Sequence, residues 1–586
     1  MVSKVIACLL AVLLLVLAVY FYRVYWLYEV RMFQQNSYRP ERFLRWWHGP
    51  DNAYSAFLAW LMPLPVKIPL AVTARVKRLF VTDALLTLLL FCLGVWGVLA
   101  LCGYGEACAG AGSCDSGAGS CDSGAGSCDS GAGCCALPWG GWSLVLAVGL
   151  VSSLLLMASK WVLLLANAVN QPIEKAISRW YYNDAKRMLR AHKGLIVIGV
   201  TGSYGKTSTK NFLYRILSQK YNTLVTPGNF NTTLGVVRTI REQLQPHHQV
   251  FIVEMGAKQP GDIREICDLV QPTIGLVASV GPMHLETFGS FENIQKTKFE
   301  LVRALPASGF AAINTNSPGI ASYADIPTHC RVLRYGVRSG DFRAQNLSYS
   351  MQGSAFNLSY EAFPALAGAS GASMAGEPGA PTVGTDSGAA GADSGVVNAG
   401  PAGMTMTTHL LGESNIQNIV GACAIASYLG VTPLQQKRAI AQLQQVENRL
   451  FVSRQGAVTV INDAYNSNPE GAAMALDVLR DIRGGRKILI TPGFVELGSR
   501  QASACRELGY KAASCADILI VVNQLNREAI VAGARQAIAE ANTSVRLTEE
   551  NIHCMDDLAL VFEALPSLLT PGDVVLYEND LPDTFK

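Results

Sequence analysis

Lys206 and Thr207 stand near the end of the run Gly199-Val-Thr-Gly-Ser-Tyr-Gly-Lys-Thr-Ser208, where an apolar stretch gives way to glycines, a lysine and several hydroxyls. A strand that enters a glycine-rich turn and leaves as a helix presents backbone N–H groups and a helix N-terminus to a phosphate chain. Gly202, Ser203, Gly205 and Ser208 belong to that cradle. Lys206 supplies a point charge for the β- and γ-phosphates, and the Thr207 hydroxyl suits Mg²⁺. Val200 occupies the first glycine position of the strict phosphate-loop pattern, so the match is partial. An ordinary strand–helix turn accounts for the glycines but not for the Gly-Lys-Thr-Ser that follows them. The expected ligand is a nucleoside triphosphate with Mg²⁺. Glu254, in Phe251-Ile-Val-Glu-Met-Gly256, stands at the end of the next acidic strand. A carboxylate there is placed as a second metal ligand, usually through water.

Such residues need a parallel sheet to hold them. Residues 195–200, 250–254, 273–278 and 310–314 read as buried strands, with helices over 206–219 and 293–305 between them. Strands alternating with helices imply a parallel sheet. A second block has the same texture, with strands at 458–462, 487–491, 518–522 and 574–577 and a helix over 470–480. Between the blocks, residues 364–404 are dominated by Gly, Ala and Ser and lack the apolar side chains that build a core. Strand-like runs at 355–360 and 404–410 flank that stretch, so it reads as an expanded hairpin tip.

The first 190 residues are of another kind. Charged residues make up only 16% of the 586, which already points to membrane segments, since globular domains carry about 25%. Residues 5–22, 84–101 and 142–159 are uncharged, and the last run continues past Lys160 to 168. Each is long enough for a hydrocarbon core of ~30 Å. No small-residue cleavage site follows the first, which favours an anchor over a signal peptide. Residues 23–83 carry nine Lys and Arg, residues 102–141 carry none, and Lys175, Arg179 and Lys186 follow the third run. The positive-inside rule puts 23–83 and everything beyond about residue 170 in the cytoplasm. The amino terminus and residues 102–141 then lie outside, with Lys4 weakly opposed. The basic, aromatic stretch 23–83 shows no βαβ pattern and reads as an interfacial collar.

The outer loop holds a seven-residue repeat, GAGSCDS. Gly, Ser and Asp cannot supply a heptad seam, so it reads as flexible low complexity. Its cysteine spacing lacks the close pairs of a zinc site. Disulfides outside the cell or a tolerated expansion both remain open. The six cysteines after residue 190 read as reduced core residues. A net charge of +3 offers no basic field for nucleic acid.

Further motifs follow in order: Asn229-Phe-Asn-Thr232, Val253-Glu-Met-Gly256, Ser279-Val-Gly-Pro-Met-His-Leu-Glu286, Leu411-Gly-Glu-Ser-Asn-Ile-Gln-Asn418 and Glu447-Asn-Arg-Leu450. With Thr201-Gly-Ser-Tyr-Gly-Lys-Thr-Ser208 they resemble the central domain of the Mur ligases. Asn462-Asp-Ala-Tyr-Asn-Ser-Asn-Pro469 is similar to the carboxy-terminal domain of one branch, the D-alanyl-D-alanine-adding ligases. The resemblance covers about residues 194–578.

That resemblance implies an ATP-dependent, ADP-forming amide ligase acting through an acyl phosphate. It makes Lys206, His284 and Lys298 catalytic, and it makes Thr207, Glu254, His284 and Lys298 the metal set. Lys298 falls where the family carries a CO₂-carbamylated lysine, with Lys296 as the competing choice. Asn415 and Asn418 fall at the adenine end of ATP, Arg449 at its phosphates, and Asp463 in a loop that closes over nucleotide. Asn229, Asn231 and Thr232 match an acceptor-site loop, while Tyr465, Asn466 and Asn468 match the loop around the incoming amine. The implied partners are a UDP- or lipid-linked muramoyl peptide and an amino acid or D-Ala-D-Ala, besides membrane lipids.

Two local departures stand out: Ser414 replaces a frequent His, and Tyr577-Glu-Asn-Asp-Leu-Pro-Asp583 replaces a Lys-Gly-Ser ending. The acidic ending favours a cationic amine or is a solvated tail. A third departure lies in front, where only about 25 residues separate the last span from the phosphate loop. The family's uridine-binding domain is therefore expected to be absent. The expected fold is α/β: transmembrane helices over 1–190, a P-loop parallel-sheet central domain over 191–430 and a Rossmann-like domain over 431–586. The expected location is the cytoplasmic membrane, multi-pass, with the catalytic domains inside.

Overall fold

The structure is a computed structural model that describes residues 2–48, 69–111, 142–350, 353–360, 363–364, 396–397, 404–464, 467–540 and 545–581. Nearly all of the cysteine repeat and most of the Gly/Ala/Ser stretch lie outside the described residues, as do Tyr465 and Asn466. The chain divides into two compact units, one up to Ser178 and one over Arg179–Leu581.

The helices Val2–Gln35, Ala74–Ala111 and Trp142–Ala191, the last continuing past Ser178 into the second unit, run well beyond the uncharged stretches that mark them in sequence. All three contain segments long and apolar enough to cross a membrane. Leu9, Val12, Leu13, Leu85, Leu88, Leu89, Leu150 and Leu154 point outward, as side chains facing lipid do. Trp26, Val30 and Phe33 pack against Phe43, on the short helix Pro40–Trp47, and against Val76, Leu79 and Leu163. Arg78 pairs with Glu174 at 2.6 Å in this unit.

The second unit is built on two sheets. The first holds Ile196–Thr201 (β1), Thr223–Val225 (β2), Val250–Met255 (β3), Ile274–Val277 (β4), Phe310–Asn314 (β5), Arg331–Val337 (β6), Phe342–Ser350 (β7) and Gly353–Tyr360 (β8). Phe363–Pro364 (β9) and Val396–Val397 (β10) form a separate two-stranded ladder, and Thr405–Thr408 (β11) returns to pair antiparallel with β8. That pairing has the form of a hairpin with an expanded tip. The order is β11-β8-β7-β6-β5-β4-β1-β3-β2. β1 pairs parallel with both β3 and β4. Strands covered on both faces are written as continuous apolar runs, which is why 250–254 and 310–314 are legible. The chain leaves β1 for one side of the sheet and returns from β3 to β4 on the other. Ligands of open α/β sheets gather at such a reversal, beyond the carboxyl ends of the strands.

The helix Lys206–Leu217 follows β1 and buries Phe212, Leu213 and Ile216 against Ile416, Ile419, Val420 and Cys423 of the helix Glu413–Tyr428. The helix expected over 293–305 is divided at Phe299 into Phe291–Lys298 and Glu300–Arg303. The second sheet holds Phe451–Gln455 (β12), Val458–Asp463 (β13), Lys487–Thr491 (β14), Ile518–Val522 (β15), Ile552–Met555 (β16) and Val574–Glu578 (β17). Its order is β12-β13-β17-β14-β15-β16, parallel except for the antiparallel pair β12–β13. Asp463, Thr491 and Glu578 therefore meet at the carboxyl ends of three neighbouring strands. Of the six cysteines after residue 190, five are buried and Cys554 is exposed.

Candidate active site

The register of β1 against β3 sets Thr201 beside Met255 and Val200 beside Glu254, which brings the phosphate loop next to the acidic strand end. The loop is laced to the segment after β4. Ser203 N–H donates to Ser279 O at 3.0 Å, and Tyr204 N–H donates to Ser279 Oγ at 2.8 Å. Ser203 Oγ donates to Gly281 O at 3.0 Å, and Gly281 N–H donates back at 2.9 Å. Gly205 has φ +77° and caps the following helix without a side chain. The first-turn N–H groups of that helix therefore face outward for an anion. A Cβ at Gly205 would lie 2.5 Å from Asn418 Oδ1, so the loop and the helix Glu413–Tyr428 touch here through glycine alone. Asn418 Oδ1 accepts from Thr209 Oγ1 at 3.0 Å, and Asn415 Nδ2 donates to Leu411 O at 2.8 Å. Both expected adenine-side residues thus have part of their amide engaged within the fold.

Lys206 folds back, donating to Gly202 O at 2.7 Å and Ser203 O at 3.1 Å. Burial lowers its ammonium to about 8, with Glu254 opposing and Arg449 adding to the shift. The charge of Arg449 thus bears on Lys206 and also on Asp463. Asp463 Oδ1 accepts from Leu450 N–H at 3.0 Å, and burial pushes its carboxyl up to about 6 against that bond.

Glu254 is 1% exposed and receives several donors. Thr207 Oγ1 donates to its Oε1 at 3.3 Å, Asn231 Nδ2 donates to the same oxygen at 3.0 Å, and Lys210 Nζ pairs with Oε2 at 2.9 Å. Burial alone would raise this carboxyl, but the attraction of Lys210 and Lys206 outweighs it and holds it below its ordinary value. Lys210 also donates to Thr226 O at 2.9 Å and Gly228 O at 2.6 Å. It ties the acidic strand end to the loop that carries Asn229, Asn231 and Thr232. Sequence reasoning passed over Lys210. Its only signal is spacing, since it follows Thr207 by three and so shares a helix face with it.

The two competing lysines have different surroundings. Lys298 is 4% exposed, whereas Lys296 is exposed. Burial lowers Lys298 to about 7, with Lys206 adding to the shift and Asp262 and Glu300 opposing it. His284 adopts φ +53°, and its Nδ1 is hydrogen-bonded to Glu496 Oε2. Glu496 stands on the loop after β14 and was not foreseen. Its one sequence signal is that it follows the carboxyl end of a buried strand, where sites in parallel sheets collect.

Other expected site residues are occupied by the fold itself. Thr232 caps the helix Thr233–Gln243 by accepting from Gly235 N–H at 3.3 Å. Asn468 caps Pro469–Asp481 by accepting from Gly471 N–H at 3.0 Å. Asn229 is exposed, and Ser208 is buried. Glu578 is fully buried rather than part of a solvated tail. Ser467 Oγ donates to its Oε1 and Thr491 Oγ1 to its Oε2, the latter at 2.6 Å. Tyr204 lines a cavity of about 770 Å³ with Asn316, Gly412, Glu413, Gln417 and Glu470.

Among the described residues, no cluster of three His, Cys, Asp or Glu could hold a metal by itself. A Mg²⁺ site does not need one, because it takes one or two carboxylates, waters and substrate phosphates. A hydroxyl and a carboxylate 3.3 Å apart at the head of a phosphate loop fit that chemistry.

The Mur ligase middle domain model matches residues 200–376, and the model of the Mur ligase, glutamate ligase domain matches residues 448–577. The UDP-N-acetylmuramoyl-tripeptide–D-alanyl-D-alanine ligase of Mycobacterium leprae is 31% identical over 400 residues, covering 65% of this chain and 70% of the relative. The Bacillus subtilis ligase of the same name is 25% identical over 319 residues, 54% of this chain and 60% of the relative. The chain thus spans less than two thirds of that relative's length. A MurF ligase from Thermotoga maritima, solved in complex with ADP, is similar in fold. Its TM-score is 0.54 at 23% identity, covering 69% of this chain and 80% of that one.

Proposed function

The chain belongs to the Mur ligase family, and from that premise we propose that it is an ATP-dependent, ADP-forming amide ligase of cell-wall precursor synthesis. The observation that carries the reading is the convergence of Thr207, Asn231 and Lys210 on Glu254, at the mouth of a phosphate loop. In this reading the acceptor's carboxylate takes the γ-phosphoryl group of ATP, giving an acyl phosphate and ADP. The incoming amine then displaces phosphate, and the amide bond forms as the C–O bond breaks.

The chain's own groups have definite tasks. First-turn N–H groups after Gly205 hold the phosphate chain. Lys206 leaves the carbonyls of Gly202 and Ser203 for the phosphates, which suits a lysine held only by neutral partners. Thr207, Glu254, His284 and Lys298 would hold Mg²⁺, with Lys298 as a carbamate. Its neutral amine adds to CO₂, an N–C bond forms, a proton leaves, and an ammonium site becomes an anionic ligand. A bound Mg²⁺ offsets the repulsion between the acceptor's carboxylate and the phosphates. Asn415, Asn418 and Arg449 are assigned to the nucleotide, and Asp463 ends β13 just before the closing loop. Asn229, Asn231 and Thr232 are assigned to the acceptor, and Tyr465, Asn466 and Asn468 to the amine.

The acceptor is a muramoyl peptide, and D-Ala-D-Ala is the amine, as in the names of the Bacillus subtilis and Mycobacterium leprae relatives. We place the protein in the cytoplasmic membrane, multi-pass, with both ligase domains inside. The support is three apolar helices and the distribution of Lys and Arg around them. The same helices favour a lipid-linked over a UDP-linked acceptor, since they hold the enzyme where such a substrate lies. An acceptor labelled with heavy oxygen in its carboxylate tests the chemistry. One labelled oxygen should appear in the released phosphate for each amide made. Label retained wholly in the peptide, or release of AMP, would overturn the acyl-phosphate reading.

A further inference from the structure

Glu496 belongs to the carboxy-terminal domain, yet its carboxylate reaches Nδ1 of His284, 212 residues earlier in the chain. The contact is double, because Glu286 N–H also donates to Glu496 O at 3.4 Å. Both side chains are only 15% exposed. Both backbones are left-handed, with φ +53° at His284 and +62° at Glu496. For residues other than glycine that conformation is strained. Such conformations persist only where the surroundings hold them, and they collect at functional sites. From the central domain, Thr287 fixes the same turn by donating to Lys258 O and to His284 O. The turn that carries the imidazole is therefore held by its own domain, and the ring by its neighbour.

We propose that Glu496 is a positioning residue that the carboxy-terminal domain supplies to the metal site of the central domain. The inference rests on the reading of His284 as a metal ligand. A histidine that ligates through one ring nitrogen usually donates its other N–H to a carboxylate, which fixes tautomer and ring orientation and strengthens the ligand. With Nδ1–H committed to Glu496, Nε2 is the nitrogen left for Mg²⁺. The carboxylate comes from the other domain, so the site is complete only when the two domains are together. Metal binding and domain closure then strengthen each other by the same factor.

The test uses Mn²⁺ as the probe and measures free Mn²⁺ by electron paramagnetic resonance over the full-length protein in detergent with ADP. Glu496→Ala should weaken Mn²⁺ binding by about tenfold or more, the usual effect of losing such a partner. Glu496→Gln keeps an acceptor oxygen for Nδ1–H and should recover part of that loss. His284→Ala sets the scale, and metal-free ADP binding confirms that each variant is folded. Should Glu496→Ala not fold, the comparison of Glu496→Gln with wild type carries the test, with a smaller loss expected. Mn²⁺ affinity unchanged in the Glu496 variants, but weakened in His284→Ala, overturns the positioning role alone. Affinity unchanged in His284→Ala as well overturns both that role and the ligand reading beneath it.

Discussion

The pair Lys210–Glu254 removes an ammonium and a carboxylate from water, each 1% exposed. Such a pair is stable only when its remaining polar atoms are satisfied. Here Thr226 O and Gly228 O serve the lysine, while Thr207 and Asn231 serve the carboxylate. Lys210→Met leaves the carboxylate without its main counter-charge and should lower stability by on the order of 3 kcal/mol. Thermal unfolding reads that loss. Adding Glu254→Gln should recover much of it without restoring turnover, and a single variant as stable as wild type would contradict the account. Gly205→Ala is the sharper probe of the loop. Its Cβ would meet Asn418 Oδ1 at 2.5 Å, on a backbone with φ +77°. Equilibrium binding of a fluorescent ADP should weaken by about tenfold or more, the factor that corresponds to some 1.4 kcal/mol. At this scale the sequence was legible where chemistry follows a local pattern, as in Lys206, Thr207 and Glu254. Lys210 and Glu496 were missed because their meaning comes from partners that only the folded sheets bring near.

The elements of the carboxy-terminal domain place Asp463, Thr491 and Glu578 at the ends of three adjacent strands. Burial pushes Glu578 up to about 7, with Asp463 adding to the shift and the Ser467 and Thr491 hydroxyls opposing it. A carboxyl raised in the folded state binds more protons than the unfolded chain between about pH 4.5 and 7. Its contribution to stability is complete below that window and is lost as pH rises through about 7. Glu578→Gln should flatten this trend, so that wild type loses up to about 3 kcal/mol relative to the variant between pH 5 and 8. Parallel pH profiles for the two proteins would remove Glu578 from the account. Buried strands such as Lys487–Thr491 and Ile518–Val522 coincide with their apolar runs, because a parallel strand covered on both faces has no polar side to blur it. The break at Phe299 carried no glycine or proline to announce it. The fate of Glu578 was equally hidden, since an acidic tail and a buried carboxylate are written with the same letters.

The whole chain combines three apolar helices with a two-domain ligase fold, and both halves were recognisable for different reasons. The helices declare themselves by length and composition. The ligase declares itself by several short motifs in a fixed order, matched by two family models. What no local motif conveys is the reach of one domain into the other's site, which depends on contacts across more than two hundred residues. The orientation assigned to the helices is open to direct test. In intact cells, after mild reduction, a membrane-impermeant maleimide should label cysteines in residues 102–141. Exposed Cys554 should react only after permeabilisation. Labelling of Cys554 in intact cells would invert the topology.

The central claim is the ligation itself. Full-length protein in detergent, given ATP, Mg²⁺ and D-Ala-D-Ala with muramoyl tripeptide in UDP-linked and lipid-linked forms, should yield a product heavier by one dipeptide less one water. One ADP should be released for each product molecule, and Lys206→Ala should abolish both. ATP bound without product on either acceptor, across a panel of amino acids as amines, would contradict the account.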